Sequence, residues 1–91
     1  MPDSELLDEA SELLRRASEA VDEGDLRDRL YDQSDQVATL AARDSGPDHG
    51  RLARHMNALG DLADELDGPA SRQVADARDL LREYRTGVEG V

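Results

Sequence analysis

The sequence predicts an all-α protein, an antiparallel four-helix bundle built from two helical hairpins. Three observations carry this. Apolar residues recur at alternating gaps of three and four along nearly the whole chain, the spacing that lines one face of a helix. No stretch alternates with the period of two that a half-buried strand needs, and β-branched residues are few. Turn-forming residues fall between the periodic segments, at Gly24, at Asp44-Ser45-Gly46-Pro47 and at Asp67-Gly68-Pro69. They divide a single domain, residues 1–91, into helices expected at 4–23, 26–43, 48–67 and 69–86, with a frayed tail at 87–91.

The first helix has Asp3 or Ser4 to cap its free backbone N–H groups, and Glu5, Asp8 and Glu9 in early turns where the helix dipole favours acids. Leu6, Ala10, Leu13, Ala17 and Ala20 form one row, with Leu7, Leu14 and Val21 beside it. Gly24 is expected to end this helix in the left-handed conformation that glycine tolerates, and Asp25 to cap the next. Leu26, Leu30, Val37, Leu40 and Ala41 line the second helix, and the polar Gln33 and Ser34 interrupt that face.

Pro47 or Asp48 opens the third helix, whose face is Leu52, Met56, Leu59, Ala63 and Leu66, flanked by Leu62. Gly60 beside that face would allow a close approach. Pro69 suits the first position of the fourth helix, where its missing N–H costs nothing. There the row is Ala70, Val74, Ala77, Leu81, Tyr84 and Val88. Short connections make neighbouring helices antiparallel. The two halves also align, as two similar hairpins would by geometry alone: Leu7, Leu14, Ser18 and Val21 match Leu52, Leu59, Ala63 and Leu66 at a spacing of 45, and Leu26, Leu30 and Val37 match Ala70, Val74 and Leu81 at a spacing of 44.

The core these faces can build is thin. It draws on 13 Leu, 5 Val and 12 Ala, with no Ile, Phe or Trp. Each buried Leu supplies roughly 1.5–3 kcal/mol and Ala little. A second copy that covers more apolar surface would help, and Gln33 and Ser34 on the inner face would need partners, so a homodimer is expected.

Charge is the strongest compositional signal. There are 22 acidic residues, 14 Asp and 8 Glu, against 11 basic residues that are all Arg, for a net charge of −11. In molar salt the Debye length falls to about 3 Å, so dense carboxylates keep a surface hydrated at little repulsive cost. These features together resemble the small, uncharacterised acidic helical proteins of halophilic archaea, a family of unknown function. The resemblance spans the chain, is one of composition, and carries over no site residues. It implies a salt-rich cytoplasm. The acidic first residues lack the basic and apolar regions of a secretory signal, and no apolar run is long enough for a bilayer, so a cytoplasmic protein with no membrane contact is expected.

The chemistry-bearing residues point to no catalytic, cofactor-binding or metal site. With no Cys, thiolate chemistry and disulfides are excluded. A dimetal bundle needs Glu three residues before His, and the residues three before His49 and His55 are Gly46 and Leu52. Histidine phosphotransfer domains carry Lys and Gly three and four residues after the reactive His, whereas His55 is followed by Met56-Asn57-Ala58-Leu59-Gly60. Ser4, Ser11, Ser18, Ser34, Ser45 and Ser71 lie in no nucleophile elbow. Arg15-Arg16 and the Arg51/Arg54 pair are local basic spots in an acidic chain, with Glu12 available to pair with Arg15 or Arg16, and two aromatics give no base-stacking platform, so nucleic acid is not an expected partner.

Interaction through helices remains. The leading expectation is a non-catalytic protein–protein interaction module, with Tyr31, Gln33, Ser34, His55 and Tyr84 as interface or boundary residues. The alternative is a small-ligand or phosphorelay protein using a pocket near His55 and Tyr84, in which His55 borders the apolar stripe half-buried.

Overall fold

The positions of the leucines determine which helices touch. In the computed structural model, which describes residues 4–22, 24–42 and 49–89, the chain forms α1 (Ser4–Ala20), α2 (Gly24–Ala42), α3 (His49–Glu65) and α4 (Gly68–Glu89). No strand occurs among the described residues. The hairpins α1–α2 and α3–α4 join because α1 packs on α4, whereas α2 and α3 barely meet. The extents of 40 × 19 × 19 Å fit two helices across each short direction, since one helix with side chains is about 10–12 Å wide.

Each helix buries a row at gaps of three and four. In α1 the buried row is Leu7, Ala10, Leu14, Ala17 and, just past its end, Val21; Leu6 and Leu13 are only partly covered and Ala20 is exposed. The stripe is thus turned by one position from the row expected first, and it faces both α2 and α4. Its α2 side is built from small residues. Buried Ser11 donates through Oγ to the Ser34 carbonyl at 2.8 Å, so the two backbones run close there. Ser18 and Ser34 donate to the carbonyls of Arg15 and Tyr31 at 2.6 and 2.7 Å. Each buried hydroxyl therefore has an acceptor inside the chain.

In α3 the row is Leu52, His55, Leu59, Leu62 and, beyond the last turn, Leu66, with Met56 and Ala63 at its flank. In α4 it is Ala70, Val74, Ala77, Leu81 and Tyr84, as the spacing predicts. Most of the aligned residues are equivalently placed: Leu7 and Leu52, Leu14 and Leu59, Val21 and Leu66, Leu30 and Val74, and Val37 and Leu81 are all buried, whereas Ala63 and Leu26 are only partly covered and their counterparts Ser18 and Ala70 are buried.

The helix ends differ from expectation by a few residues. α1 stops at Ala20 rather than 23, with the Val21 N–H bonded only three residues back, to the Ser18 carbonyl at 3.4 Å, a tightened last turn. Gly24 does not take the left-handed conformation; it opens α2, and Asp25 lies in the first turn rather than at the cap. α3 ends at Glu65 rather than 67, although the Leu66 N–H still reaches the Leu62 carbonyl at 3.1 Å. Gly68 supplies the left-handed residue, with φ of 63°, and Ser71 ties the next turn back by donating to the Ala63 carbonyl at 2.8 Å. α4 continues to Glu89 instead of fraying after 86, its later turns including a Thr86 Oγ1 bond to the Arg82 carbonyl at 2.9 Å. The cap expected at Asp3, the turn at residues 44–47, the start at Pro47 or Asp48 and the last residues of the tail lie outside the described residues.

Candidate functional site

The gap between α2 and α3 follows from two residues. If the halves are superposed by their spacings of 45 and 44, His55 of α3 is the counterpart of Ala10 in α1, and Gln33 of α2 is the counterpart of Ala77 in α4. Ala10 and Ala77 are fully buried on α1 and α4, helices that pack together. On the α2–α3 side the same two positions carry an imidazole and a carboxamide, which are bulkier and must be hydrogen-bonded. They satisfy each other, with His55 Nδ1 2.8 Å from Gln33 Oε1. This tie, together with the exposed Arg29–Glu65 pair at 3.0 Å nearer the other end of the helices, bridges α2 to α3. Between them lies an open cleft of about 550 Å³.

Gln33, Gln36 and Thr39 of α2 form one wall, and Arg51, Arg54, His55 and Ala58 of α3 the other. Each set recurs at helical spacing, so it stands on one face of its helix. His55 is only 5% exposed, a correction to the half-buried position expected of it: α3 turns its stripe through residue 55 rather than through Met56. An amide oxygen only accepts, so Nδ1 carries the proton and donates it to Gln33 Oε1, which leaves a lone pair on Nε2. Burial first, then the guanidinium groups of Arg51 and Arg54, push the His55 pKa below its ordinary value of about 6.5. The imidazole is therefore neutral at neutral pH. Thr39 donates its hydroxyl to the Asp35 carbonyl at 3.0 Å, and Gln36 donates to Asp32 Oδ2 at 3.4 Å.

Two arginines and a histidine line this cleft with no acid among its described lining residues, in a chain where acids outnumber bases two to one. The arrangement can accept an oxyanion: guanidinium forks for its oxygens and a fixed imidazole nitrogen beside them. Among the described residues no group of three or more His, Asp or Glu stands close enough to hold a metal ion.

The other expected residues are dispersed. Ser34 is buried against α1 and spends its hydroxyl within α2. Tyr31 is 55% exposed, the one large exposed hydrophobic side chain among the described residues. Tyr84 is buried in the leucine core and does not line the cleft that His55 lines. Arg51, Arg54, Gln36 and Thr39 escaped the sequence reading, which treated the arginines as isolated basic spots. A signal for them was present: residues 49–60 form the longest stretch of the chain without Asp or Glu, and the cleft's other wall runs into another such stretch, 36–43.

A family model described as a family of unknown function, DUF7553, matches residues 1–87. No curated protein and no solved structure matches the chain. No helix among the described residues is long and apolar enough to cross a membrane.

Proposed function

The chain belongs to DUF7553, a family of unknown function, and we propose that it is a non-catalytic helical binding module, an adaptor, regulator or small subunit that docks a partner protein in a high-salt cytoplasm. The observation that carries this reading is the open α2–α3 side. Three helix pairs are closed by packed apolar rows, whereas the fourth pair is held apart by His55 and Gln33 and offers an ordered polar cleft. His55 Nδ1 and the Thr39 hydroxyl are already spent on Gln33 and on the backbone, an arrangement suited to recognition rather than to proton or acyl transfer. The cations at Arg51 and Arg54 favour a partner that brings negative charge.

Co-purification at native salt with the intact chain tests the reading. Wild-type protein should recover a partner that Arg54→Glu loses and that Arg72→Glu, on exposed α4 surface, retains. Recovery of no other protein, or equal recovery by both variants, contradicts it. A homodimer is one form of this docking. Its original motive weakens, because Gln33 and Ser34 find partners within the chain. Light scattering in molar KCl reads it directly: twice the 10.0 kDa chain mass supports a dimer, and the chain mass alone removes it.

A further inference from the structure

In a chain of net charge −11, a concavity is expected to be bordered mostly by carboxylates, and two grooves along α1 are: Glu5, Asp8, Glu9 and Glu12 outnumber Arg15 in one, and Glu9 and Glu12 outnumber Arg16 in the other. Among its described lining residues the α2–α3 cleft reverses that sign. We propose that it binds a phosphorylated small molecule, held by the guanidinium groups of Arg51 and Arg54 and by Nε2 of His55. The proposal names the ligand class of the same cleft through which docking is proposed, and so rests on that cleft being the functional face.

Arg51, Arg54 and His55 lie three and four residues apart, so α3 brings all three to one side over a single turn. Planar guanidinium forks match the oxygens of a phosphoryl group, and a phosphate monoester, with a second pKa of about 6, keeps an O–H near neutral pH that a carboxylate lacks. His55 adds a nitrogen that does not move, because the ring is buried and its other nitrogen is fixed on Gln33. Nε2 has no hydrogen-bond partner among the described residues. It can accept the O–H of a phosphate monoanion, or take that proton and face the dianion as a donor; in either case one proton is shared between two atoms and no covalent bond forms. Across the cleft, Gln36 keeps a second amide N–H after its bond to Asp32. A volume of about 550 Å³ is in the range of small-molecule sites and leaves room for an organic body beside a phosphoryl group, with Ala58 as apolar lining.

Calorimetric titration of the intact protein in molar KCl tests this, because screening removes diffuse attraction there and chloride competes at every unspecific site. The probes are phenyl phosphate, inorganic phosphate and benzoate. Phenyl phosphate should bind saturably, Arg54→Gln should weaken it about tenfold or more, and Arg72→Gln should leave it unchanged. Arg54 is exposed, so its loss does not threaten folding. Inorganic phosphate binding as tightly as phenyl phosphate keeps the phosphoryl chemistry and makes free phosphate the source. Benzoate binding as tightly as phenyl phosphate overturns the phosphoryl class. Absence of saturation, or indifference to Arg54→Gln, overturns the proposal outright. If phenyl phosphate fails while Arg54→Glu still loses the co-purified partner, the ligand is wrong and the docking reading stands. If phenyl phosphate binds while partner recovery ignores Arg54, the docking reading fails alone.

Discussion

His55 and Gln33 decide more than any other pair. Removing one partner leaves a buried donor without an acceptor, which costs about 1–3 kcal/mol, whereas replacing both by apolar groups is nearly neutral. Gln33→Leu should therefore destabilise the protein by about 1–2 kcal/mol, and the double variant Gln33→Leu/His55→Leu should recover most of that loss in chemical denaturation. The same pair sets a pH dependence. The folded His55 pKa lies below about 6.5, its unfolded value, so above that pH the imidazole is neutral in both states. As the pH falls through 6.5 the unfolded chain takes up the proton first. Stability is then lost progressively, with a slope of up to about 1.4 kcal/mol per pH unit, until the folded ring also protonates. The double variant should lose the His55 part of this slope between pH 6.5 and the onset of carboxylate titration. At this scale the sequence was partly legible. Gln33 stands out as a polar interruption of an apolar row and His55 only as a residue bordering one; their pairing joins residues on different helices, and local spacing carries no information on such a pair.

At the scale of the helix, periodicity marked every element and most of the buried rows. It failed at the ends. Gly24 and Gly68 look alike in the sequence, each following an acidic run at a helix boundary, yet only Gly68 takes positive φ. Val21 and Leu66, which precede the two glycines, are equally buried, so the local pattern does not distinguish the two turns. Gly60 differs again. A methyl group there would meet the Arg78 guanidinium carbon at 3.6 Å, an ordinary contact, so this glycine makes room for a side chain rather than for a close backbone approach. Gly60→Ala should thus stabilise the protein by up to about 1 kcal/mol through helix propensity. Gly68→Ala should cost about 1 kcal/mol or more, because a Cβ is strained in the left-handed region. Thermal melts of the two variants should move in opposite directions.

For the molecule as a whole, fold class, hairpin order and the thin leucine core followed from the sequence, while the open side did not: it arises because one pair of helices packs through alanines and the equivalent pair carries His55 and Gln33. The net charge of −11 acts on every part of a chain only 19 Å across its short axes, so repulsion should destabilise it in dilute buffer. The melting temperature should rise from low salt to molar KCl, and a melting temperature indifferent to KCl would contradict adaptation to salt. On the proposed reading the acids answer the solvent, and the acid-free stretches lining α2 and α3 answer a ligand or partner. Amide chemical-shift mapping of the isotope-labelled protein with its co-purified partner, in molar KCl, tests that division most directly. The account predicts perturbations concentrated at residues 33–39 and 51–58. Perturbations confined to the acidic outer face of α1, around Glu5, Glu9 and Glu12, would contradict it.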